Sequence, residues 1–144
     1  MKRIIVMVFG VIVAMAAFAQ TKTAAPAPVV PATGPKITWE NPKHDFGDIT
    51  QGEVVEYTYK FTNTGTEPLI ITNVSVSCGC TIPKGYPRDP IAVNGKGEIV
   101  IAFNSTGKIG NNTKVITIVS NAVNPEAATV SFTTNVLQKP ATPQ

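Results

Sequence analysis

Hydrophobic and polar residues alternate with a period of two along much of this chain. The clearest run has apolar side chains at four alternate positions and polar side chains between them, namely Val55, Tyr57, Tyr59 and Phe61 against Glu56, Thr58, Lys60 and Thr62. Because successive side chains of a strand point to opposite faces, this pattern predicts a half-buried β-strand whose apolar face covers the core.

Shorter apolar runs predict further strands at 37–39, 44–49, 69–77, 91–93, 99–103, 115–119 and 130–136. The segment 44–49 is expected to be an irregular edge strand. In 69–77, we expect Ile70, Val74 and Val76 to share one face. The segment 115–119 is apolar at four of its five positions, and this composition predicts a strand that is covered on both faces.

Turn-forming residues separate the predicted strands at 51–52, 63–68, 94–97, 104–112 and 121–125. The stretch 94–97, Asn-Gly-Lys-Gly, predicts a tight hairpin turn. Three prolines and a glycine within 83–90 predict a loop, because proline cannot donate a hydrogen bond in a central strand. Seven to eight short strands with such turns predict an all-β, immunoglobulin-like β-sandwich over residues 37–137.

The first nineteen residues are typical of a secretory signal peptide. Lys2 and Arg3 precede an apolar run, 4–18, and Ala17-Phe18-Ala19 fits the small-x-small cleavage rule, which places the cut between Ala19 and Gln20. An uncleaved anchor helix is the alternative, although the run is short for a membrane span. We therefore expect an exported protein, in the bacterial periplasm, secreted or at the cell surface, with no transmembrane span after cleavage.

The composition outside the predicted sandwich is that of a spacer. Residues 20–36 are rich in proline and alanine and show no periodicity, and 138–144 form a short tail with two prolines. Both segments are predicted to be disordered, the first as a linker.

The net charge of the chain after cleavage gives no indication of nucleic-acid binding. Without Lys2 and Arg3, ten basic residues stand against nine acidic ones, a net charge of +1. No basic patch with interleaved aromatic residues occurs, so nucleic acid is not an expected partner.

The only two cysteines, Cys78 and Cys80, flank Gly79 between the predicted strand and the proline-rich loop. A turn at the glycine would bring their sulfurs within bonding distance. A bridge across three residues would contribute only about 1.6 kcal/mol of chain entropy, against about 4.7 kcal/mol for a hundred-residue loop. The pair is therefore a disulfide or redox candidate, a soft-metal site or an inert local bridge, and Cys78 alone would also suit a small core position.

Other candidate ligands and catalytic groups are few. His44 is the only histidine, and with Asp45 it is expected to bond to the backbone of the edge strand. Zinc would need four ligands, and Asp45 or Asp89 would be a strained fourth beside His44 and the two cysteines. Copper(I) suits two thiolates better. No catalytic residues and no obligatory cofactor are expected.

Several motifs resemble a bacterial exported family, the domain of unknown function 1573 (DUF1573), which is immunoglobulin-like and related to the Hydin-type or ASH modules of cilia. The motifs are 44–49 (His-Asp-Phe-Gly-Asp-Ile), Gly52-Glu53, 61–65, 68–71, 77–81 and Gly107-Lys108. The resemblance covers nearly the whole predicted domain and implies the fold and an exported location, but no established activity. Copper-assembly proteins of cytochrome oxidase offer a weaker analogy, a Cys-x-Cys on an immunoglobulin-like sandwich.

The functional expectation is a non-enzymatic structural or protein-binding module of the cell envelope, which would bind an envelope or cell-surface protein. Recognition is expected on the loop 80–90, with Pro83, Tyr86 and Arg88 as candidate contact residues, or on an exposed sheet edge. The alternative is a thiol-redox or copper(I)-handling protein that uses Cys78 and Cys80. The oligomeric state stays open.

Overall fold

The computed structural model describes residues 33–140, which form eight strands and one 3₁₀ turn. The strands are β1 (Ile37–Trp39), β2 (Lys43–Thr50), β3 (Val54–Asn63), β4 (Ile71–Val76), β5 (Thr81–Gly85), β6 (Lys96–Asn104), β7 (Gly110–Ser120) and β8 (Thr129–Leu137), and the 3₁₀ turn is Pro125–Ala128. No helix in this range is long and apolar enough to cross a membrane.

Several expectations fall on other parts of the chain. The predicted signal peptide, its cleavage site at Ala19 and Gln20, most of the linker 20–36 and the last four residues of the tail lie outside the described residues.

Two four-stranded sheets pack face to face around one hydrophobic core. The first sheet has the order β1-β3-β6-β5 and is antiparallel throughout. The second has the order β2-β8-β7-β4, in which only β2 and β8 run parallel. This is the constant-type immunoglobulin arrangement, with the first strand divided between the two sheets as β1 and β2. The predicted all-β sandwich is therefore confirmed.

The predicted alternation in β3 is also confirmed. Tyr59 and Phe61 are fully buried, and Val55 and Tyr57 are half-buried toward the start of the strand. Trp39 of β1 packs edge-on against the rings of Tyr59 and Phe61, with ring centroids 6.4 and 5.1 Å away. The apolar face of β3 thus forms the aromatic part of the core.

Asn63, the last residue of β3, is fully buried and bonds to three segments. Its amide nitrogen donates to the carbonyl oxygens of Glu67 and Ile91 at 2.8 and 3.0 Å. Its side-chain oxygen accepts the backbone N–H groups of Lys36 and Gly65 at 3.3 and 3.1 Å. One side chain therefore joins the approach to β1, the turn after β3 and the approach to β6.

Ser105, directly after β6, is the second fully buried polar residue. Its hydroxyl oxygen accepts the N–H of Gly52 at 2.9 Å and lies 2.8 Å from the carbonyl oxygen of Glu53. These bonds fix the turn between β2 and β3 against the end of β6.

Two strands differ from their predicted burial. In β4, Ile71 and Val74 are buried whereas Ile70 is 39% exposed, so the expected shared face of Ile70, Val74 and Val76 is wrong. The physical reason is a register shift between Ile71 and Asn73, which rotates the start of the segment by one residue. In β7, the valines at 115 and 119 are 42% and 47% exposed, so this strand is covered on one face only.

One predicted strand, one predicted hairpin and one predicted loop also need correction. Residues 91–93 do not form a strand, because Ile91 makes a single bridge to Leu69. The turn at Asn94 and Gly95 leads directly into β6, which pairs with β3 and β5, so the predicted hairpin is absent from the described residues. The first part of the predicted loop 83–90 belongs to edge strand β5, where proline is tolerated.

The folded domain begins before the predicted boundary at residue 37. Gly34 and Pro35 are buried. The N–H of Gly34 donates to the hydroxyl of Thr66 at 2.9 Å, and the carbonyl oxygen of Pro35 accepts the N–H of Val123 at 2.9 Å. Residues 34–36 are therefore part of the domain.

Replacement of Phe61 by alanine should lower the free energy of unfolding by about 3–5 kcal/mol, because a large aromatic side chain is removed from the closed core. Urea unfolding of both proteins measures the difference. Lys60→Ala, at the exposed neighbouring position, is the control and should stay within about 0.5 kcal/mol. A loss below about 1 kcal/mol for Phe61→Ala would contradict the burial of this ring.

Asn63→Asp should lower the free energy of unfolding by at least about 2 kcal/mol, because the new carboxylate would face two backbone carbonyl oxygens without a donor. Asn121→Asp is a matched control, since the Asn121 amide also donates to a carbonyl oxygen, that of Pro68, but at an exposed site. Equal losses in the two variants would contradict the assigned role of Asn63.

Candidate functional site

The two cysteines lie where the chain passes from one sheet to the other, between β4 and β5. They form a disulfide bond, with their Cα atoms 5.4 Å apart, and the part of the chain that the structure describes contains no free cysteine. The N–H of Thr81 donates to the carbonyl oxygen of Cys78 at 3.2 Å, and the N–H of Asn104 donates to that of Cys80 at 2.8 Å. We call residues 77–81 the cysteine corner.

The two sulfurs have different surroundings. Cys80 is half-buried and packs against the hydrophobic core. Cys78 is also half-buried, and its sulfur lies 3.9 Å from the hydroxyl oxygen of the buried residue Thr81. Across residues 33–140, no group of three or more His, Cys, Asp or Glu side chains is arranged to hold a metal ion. Copper(I) binding by the cysteine pair stays a prediction that would require reduction of the bridge.

The candidate contact residues of the loop pack on the protein itself. The hydroxyl of Tyr86 donates to the carbonyl oxygen of Thr72 in β4 at 3.5 Å, and the guanidinium of Arg88 lies 4.1 Å from the centroid of the Tyr86 ring. Because β4 is the last strand of its sheet, these two side chains cover part of its free edge. Pro83 lies within β5.

Edge strands carry backbone groups that can pair with another chain, and folded proteins protect them. Strand β5 is protected by Pro83. The hydrogen bond from Asn104 to Cys80 shows that even-numbered residues of β5 face β6. Residue 83 faces outward, where proline offers no N–H.

The edges of β1 and β2 are protected in two other ways. Asn124 bonds to both outward groups of Ile37 in β1, since its side-chain oxygen accepts the N–H at 3.0 Å and its amide donates to the carbonyl at 2.9 Å. Strand β2 is interrupted by a register shift between Asp45 and Asp48, where Gly47 adopts a positive φ of 67°. Charged side chains and a bulge both discourage pairing with a second strand.

Strand β3 has a segment whose outer backbone groups are blocked by no proline, no bulge and no side-chain hydrogen bond among the described residues. β1 pairs only with residues 61–63 of β3, and one more bond joins the N–H of Glu40 to the carbonyl of Lys60 at 3.0 Å. Two backbone hydrogen bonds, from Ser105 to Glu53 and from Asn63 to Gly95, show that the N–H and C=O groups of odd-numbered residues in β3 point toward β6. By alternation, the backbone groups of 54, 56 and 58 point outward. None of them has a hydrogen-bond partner among residues 33–140. We call residues 54–58 the open edge.

Where β1 leaves β3, the open edge borders a notch of about 280 Å³ that is lined by Glu40, Asn41, Tyr57, Thr58 and Lys60. The notch lies in line with β1, so it occupies the path that a longer β1 would have followed. There is therefore room beside the unpaired backbone groups for another extended segment.

Aromatic rings fill the space between the sheets behind the open edge. His44 of β2 stacks on Tyr57 of β3, with ring centroids 3.6 Å apart and an interplanar angle of 13°. Phe46 packs edge-on against His44 at 4.5 Å and against Phe132 of the core at 5.3 Å. The open edge is thus backed by an aromatic surface that continues into the core.

Burial lowers the pKa of His44, and the neighbouring carboxylate of Asp45 acts in the opposite direction. The pKa of Asp45 is itself lowered by hydrogen bonds from the Gly47 backbone N–H and the Thr133 hydroxyl. The predicted bonding of Asp45 to the edge-strand backbone is therefore present, whereas His44 packs by stacking.

The remaining charged candidates have local partners. The carboxylate of Glu53 accepts the N–H of Thr50 at 2.6 Å across the β2–β3 turn, and that of Asp48 accepts the amide of Asn135 at 2.9 Å. An ion pair joins Lys84 of β5 to Glu56 of β3 on the outer face of their sheet. These contacts position turns and strands.

The sequence predicted recognition at an exposed sheet edge but did not identify the open edge of β3, and it gave no sign that Asn124 bonds to the backbone of β1. Both depend on which strands become neighbours. One signal was present in the sequence. The apolar run at 37–39 has only three residues, so a strand of that length cannot pair with the whole of β3.

The model of a family described as a protein of unknown function (DUF1573) matches residues 37–136. No curated protein matches the chain.

Three similar solved structures share the fold. A protein of unknown function from Porphyromonas gingivalis W83 has a TM-score of 0.57 and 18% identity, over 76% of this chain and 50% of that one. The ASH/PapD-like domain 7 of human CEP192 has a TM-score of 0.53 and 16% identity, over 79% and 94%. The secreted serine protease VesC from Vibrio cholerae has a TM-score of 0.53 and 16% identity, over 75% and 24%. The chain thus spans half of the Porphyromonas protein and about a quarter of the protease, and at these identities the likeness concerns the fold alone.

His44→Phe tests the half-buried imidazole, because phenylalanine keeps the stack on Tyr57 and removes the titration. Since the pKa of His44 is lower in the folded protein than its ordinary value, the fold favours the neutral ring. The contribution of His44 to the free energy of unfolding of the native chain should therefore be fully present above about pH 6.5, and it should be lost as the pH falls below that value. Asp45 titrates at lower pH, because its pKa is lowered from 3.8. Urea unfolding from pH 7.5 to 5 should show the variant gaining stability relative to the native chain. A constant difference would contradict the assignment.

Proposed function

We propose that this chain, which belongs to the DUF1573 family of proteins of unknown function, is a non-enzymatic protein-binding module of the bacterial cell envelope. It takes up an extended segment of a partner protein at the open edge of β3. The observation that carries the proposal is the row of outward backbone groups at 54, 56 and 58, which lack partners among the described residues. Along the other edges, Pro83, Asn124, the β2 bulge and Tyr86 each block at least part of the strand.

Strand addition supplies affinity through backbone hydrogen bonds. An added segment beside β3 would bond to the N–H and C=O groups of Val54, Glu56 and Thr58, and antiparallel pairing would continue the line of β1. Immunoglobulin-like sandwiches commonly use their edges in this way because the strand is already extended and held by its other neighbour.

Side chains beside the edge define the chemistry of the partner. The residue opposite Tyr57 would point inward, next to the ring of His44, and should be apolar or aromatic. Residues opposite Glu56 and Thr58 would point outward beside the pair of Glu56 with Lys84, and should be polar. The partner segment is therefore extended and alternates in polarity.

Export is supported by two features. The leader-like composition of 1–19 precedes a proline-rich spacer, and disulfide bonds such as that between Cys78 and Cys80 persist in oxidising compartments. A non-enzymatic role is supported by the local partners of Glu53, Asp48 and Lys84, whose side chains bond within turns and between strands.

Photo-crosslinking in living cells tests the binding role. The full chain carries a photoreactive amino acid at residue 54 on the open edge or, as the control, at Thr117 on the exposed face of β7. Irradiation should yield one discrete protein adduct from position 54 and none from position 117. An adduct that contains only a second copy of this chain, or an adduct that forms from Arg88 and not from 54, would contradict the proposal.

Two variants separate backbone pairing from side-chain contact. Thr58→Pro removes an outward N–H without removing a bond to β6, whereas Thr58→Ala keeps that N–H. The proline variant should lower the adduct yield about tenfold or more, and the alanine variant should retain it. If Thr58→Pro does not fold, Glu56→Pro replaces it. Equal yields in the proline and alanine variants would exclude strand addition.

The export proposal has a direct check. The intact mass of the protein recovered from the cell envelope should correspond to a chain that begins at Gln20, because cleavage follows Ala19. Recovery in the cytoplasm with residues 1–19 still attached would contradict it.

A further inference from the structure

We infer that the cysteine corner is a thiol–disulfide exchange site, which accepts two electrons from a dithiol of another exported protein. Cys78 carries the sulfur that the partner attacks, and Cys80 carries the sulfur that leaves. This activity is separate from the strand addition proposed above, because it uses residues at the opposite edge of the sheet from β1.

The bridge contributes little to the fold, which a reversible site requires. It closes a loop of three residues, for which the gain in chain entropy is small. The corner is held independently by the backbone bond from Ser77 to Val115 at 3.2 Å and by that from Asn104 to Cys80 at 2.8 Å. Opening of the bridge therefore leaves both flanking strands in place.

Access differs between the two sulfurs. Cys80 packs against the hydrophobic core, and Cys78 does not belong to that packing. Gly79 is exposed, and no atom lies within 4 Å of the position that a side chain on this residue would take. A partner can therefore approach the outer side of the corner, and of the two sulfurs that of Cys78 is the one that does not pack against the core.

The hydroxyl of Thr81 supports the same assignment. It lies 3.9 Å from the sulfur of Cys78, so it can donate a hydrogen bond to the thiolate that forms there on reduction. Thr81 is 2% exposed and lies at the first position of β5, so its hydroxyl is held in place. Thr81 is thus a positioning residue for the thiolate.

The exchange proceeds by two successive thiolate attacks. A partner thiolate attacks the sulfur of Cys78, the bond between Cys78 and Cys80 breaks, and Cys80 leaves as a thiolate that takes up a proton. The partner's second thiolate then attacks its own sulfur in the mixed disulfide and releases Cys78 as a thiolate. The partner is oxidised to a disulfide, this chain is reduced to a dithiol, and the two partner protons are transferred to the two cysteines.

Reduction of the native chain by dithiothreitol without denaturant is the first test. Alkylation followed by mass measurement should show both thiols within minutes, with an unchanged circular dichroism spectrum. The oxidised chain should also introduce a disulfide into a reduced unfolded ribonuclease, and the double variant Cys78→Ser/Cys80→Ser should not. A bridge that opens only in denaturant would overturn the inference.

Single variants test which sulfur reacts. Cys80→Ser leaves Cys78 as the free thiol, and Cys78→Ser leaves Cys80. The first should react with an aromatic disulfide reagent about tenfold faster or more. If either variant does not fold, limited alkylation of the reduced native chain should modify Cys78 before Cys80. Equal rates or the reverse order would overturn the assignment.

Thr81→Val in the Cys80→Ser background tests the hydroxyl, because valine keeps the shape of threonine. The pH profile of Cys78 reactivity should move to higher pH, since the thiolate loses a donor. An unchanged profile would remove Thr81 from the site.

Discussion

Backbone hydrogen bonding at the sheet margins is the constraint on which the structure depends. Every outward N–H and C=O group of an edge strand must bond to protein or to water, and a bare edge invites pairing with another chain. Three edges have outward backbone groups that are bonded or removed within the protein. Asn124 bonds to β1, Pro83 removes an N–H from β5, and the Tyr86 hydroxyl bonds to one carbonyl of β4. The division of the first strand between the two sheets creates the exception, because β1 ends before it has covered β3. The open edge of β3 therefore follows from the topology of the fold.

Much of the fold could be predicted from local patterns. Period-two alternation identified β3 and β8, because each strand turns one face toward the core and the other toward solvent. The same rule failed at Ile70, where a register shift moves the burial pattern by one position, and in β7, where exposed valines resemble core residues in sequence. Buried polar residues were missed for a related reason. Asparagine and serine are common in turns, so the sequence placed Asn63 and Ser105 in surface turns. Only the fold shows that their side chains are buried.

The functional sites were predictable to different degrees. The cysteine pair could be located and its bridge anticipated, because both depend on three adjacent residues. The difference between the surroundings of the two sulfurs could not be predicted, because the core contact of Cys80 and the position of the Thr81 hydroxyl depend on how β5 packs. Tyr86 and Arg88 were sensible candidates for a binding loop, yet they cover the edge of β4. The open edge depends on the end of β1, a boundary that residue patterns locate only to within a few positions.

Residue-resolved amide hydrogen exchange along β3 tests the central claim most directly. On this account, the amides of Val54, Glu56 and Thr58 face outward without a protein partner, while those of Val55, Tyr57 and Tyr59 bond to β6. The first group should exchange about tenfold or more faster than the second, in strict alternation along one strand. Uniform protection of all six amides in the isolated chain would contradict the account, because it would mean that the edge is already covered.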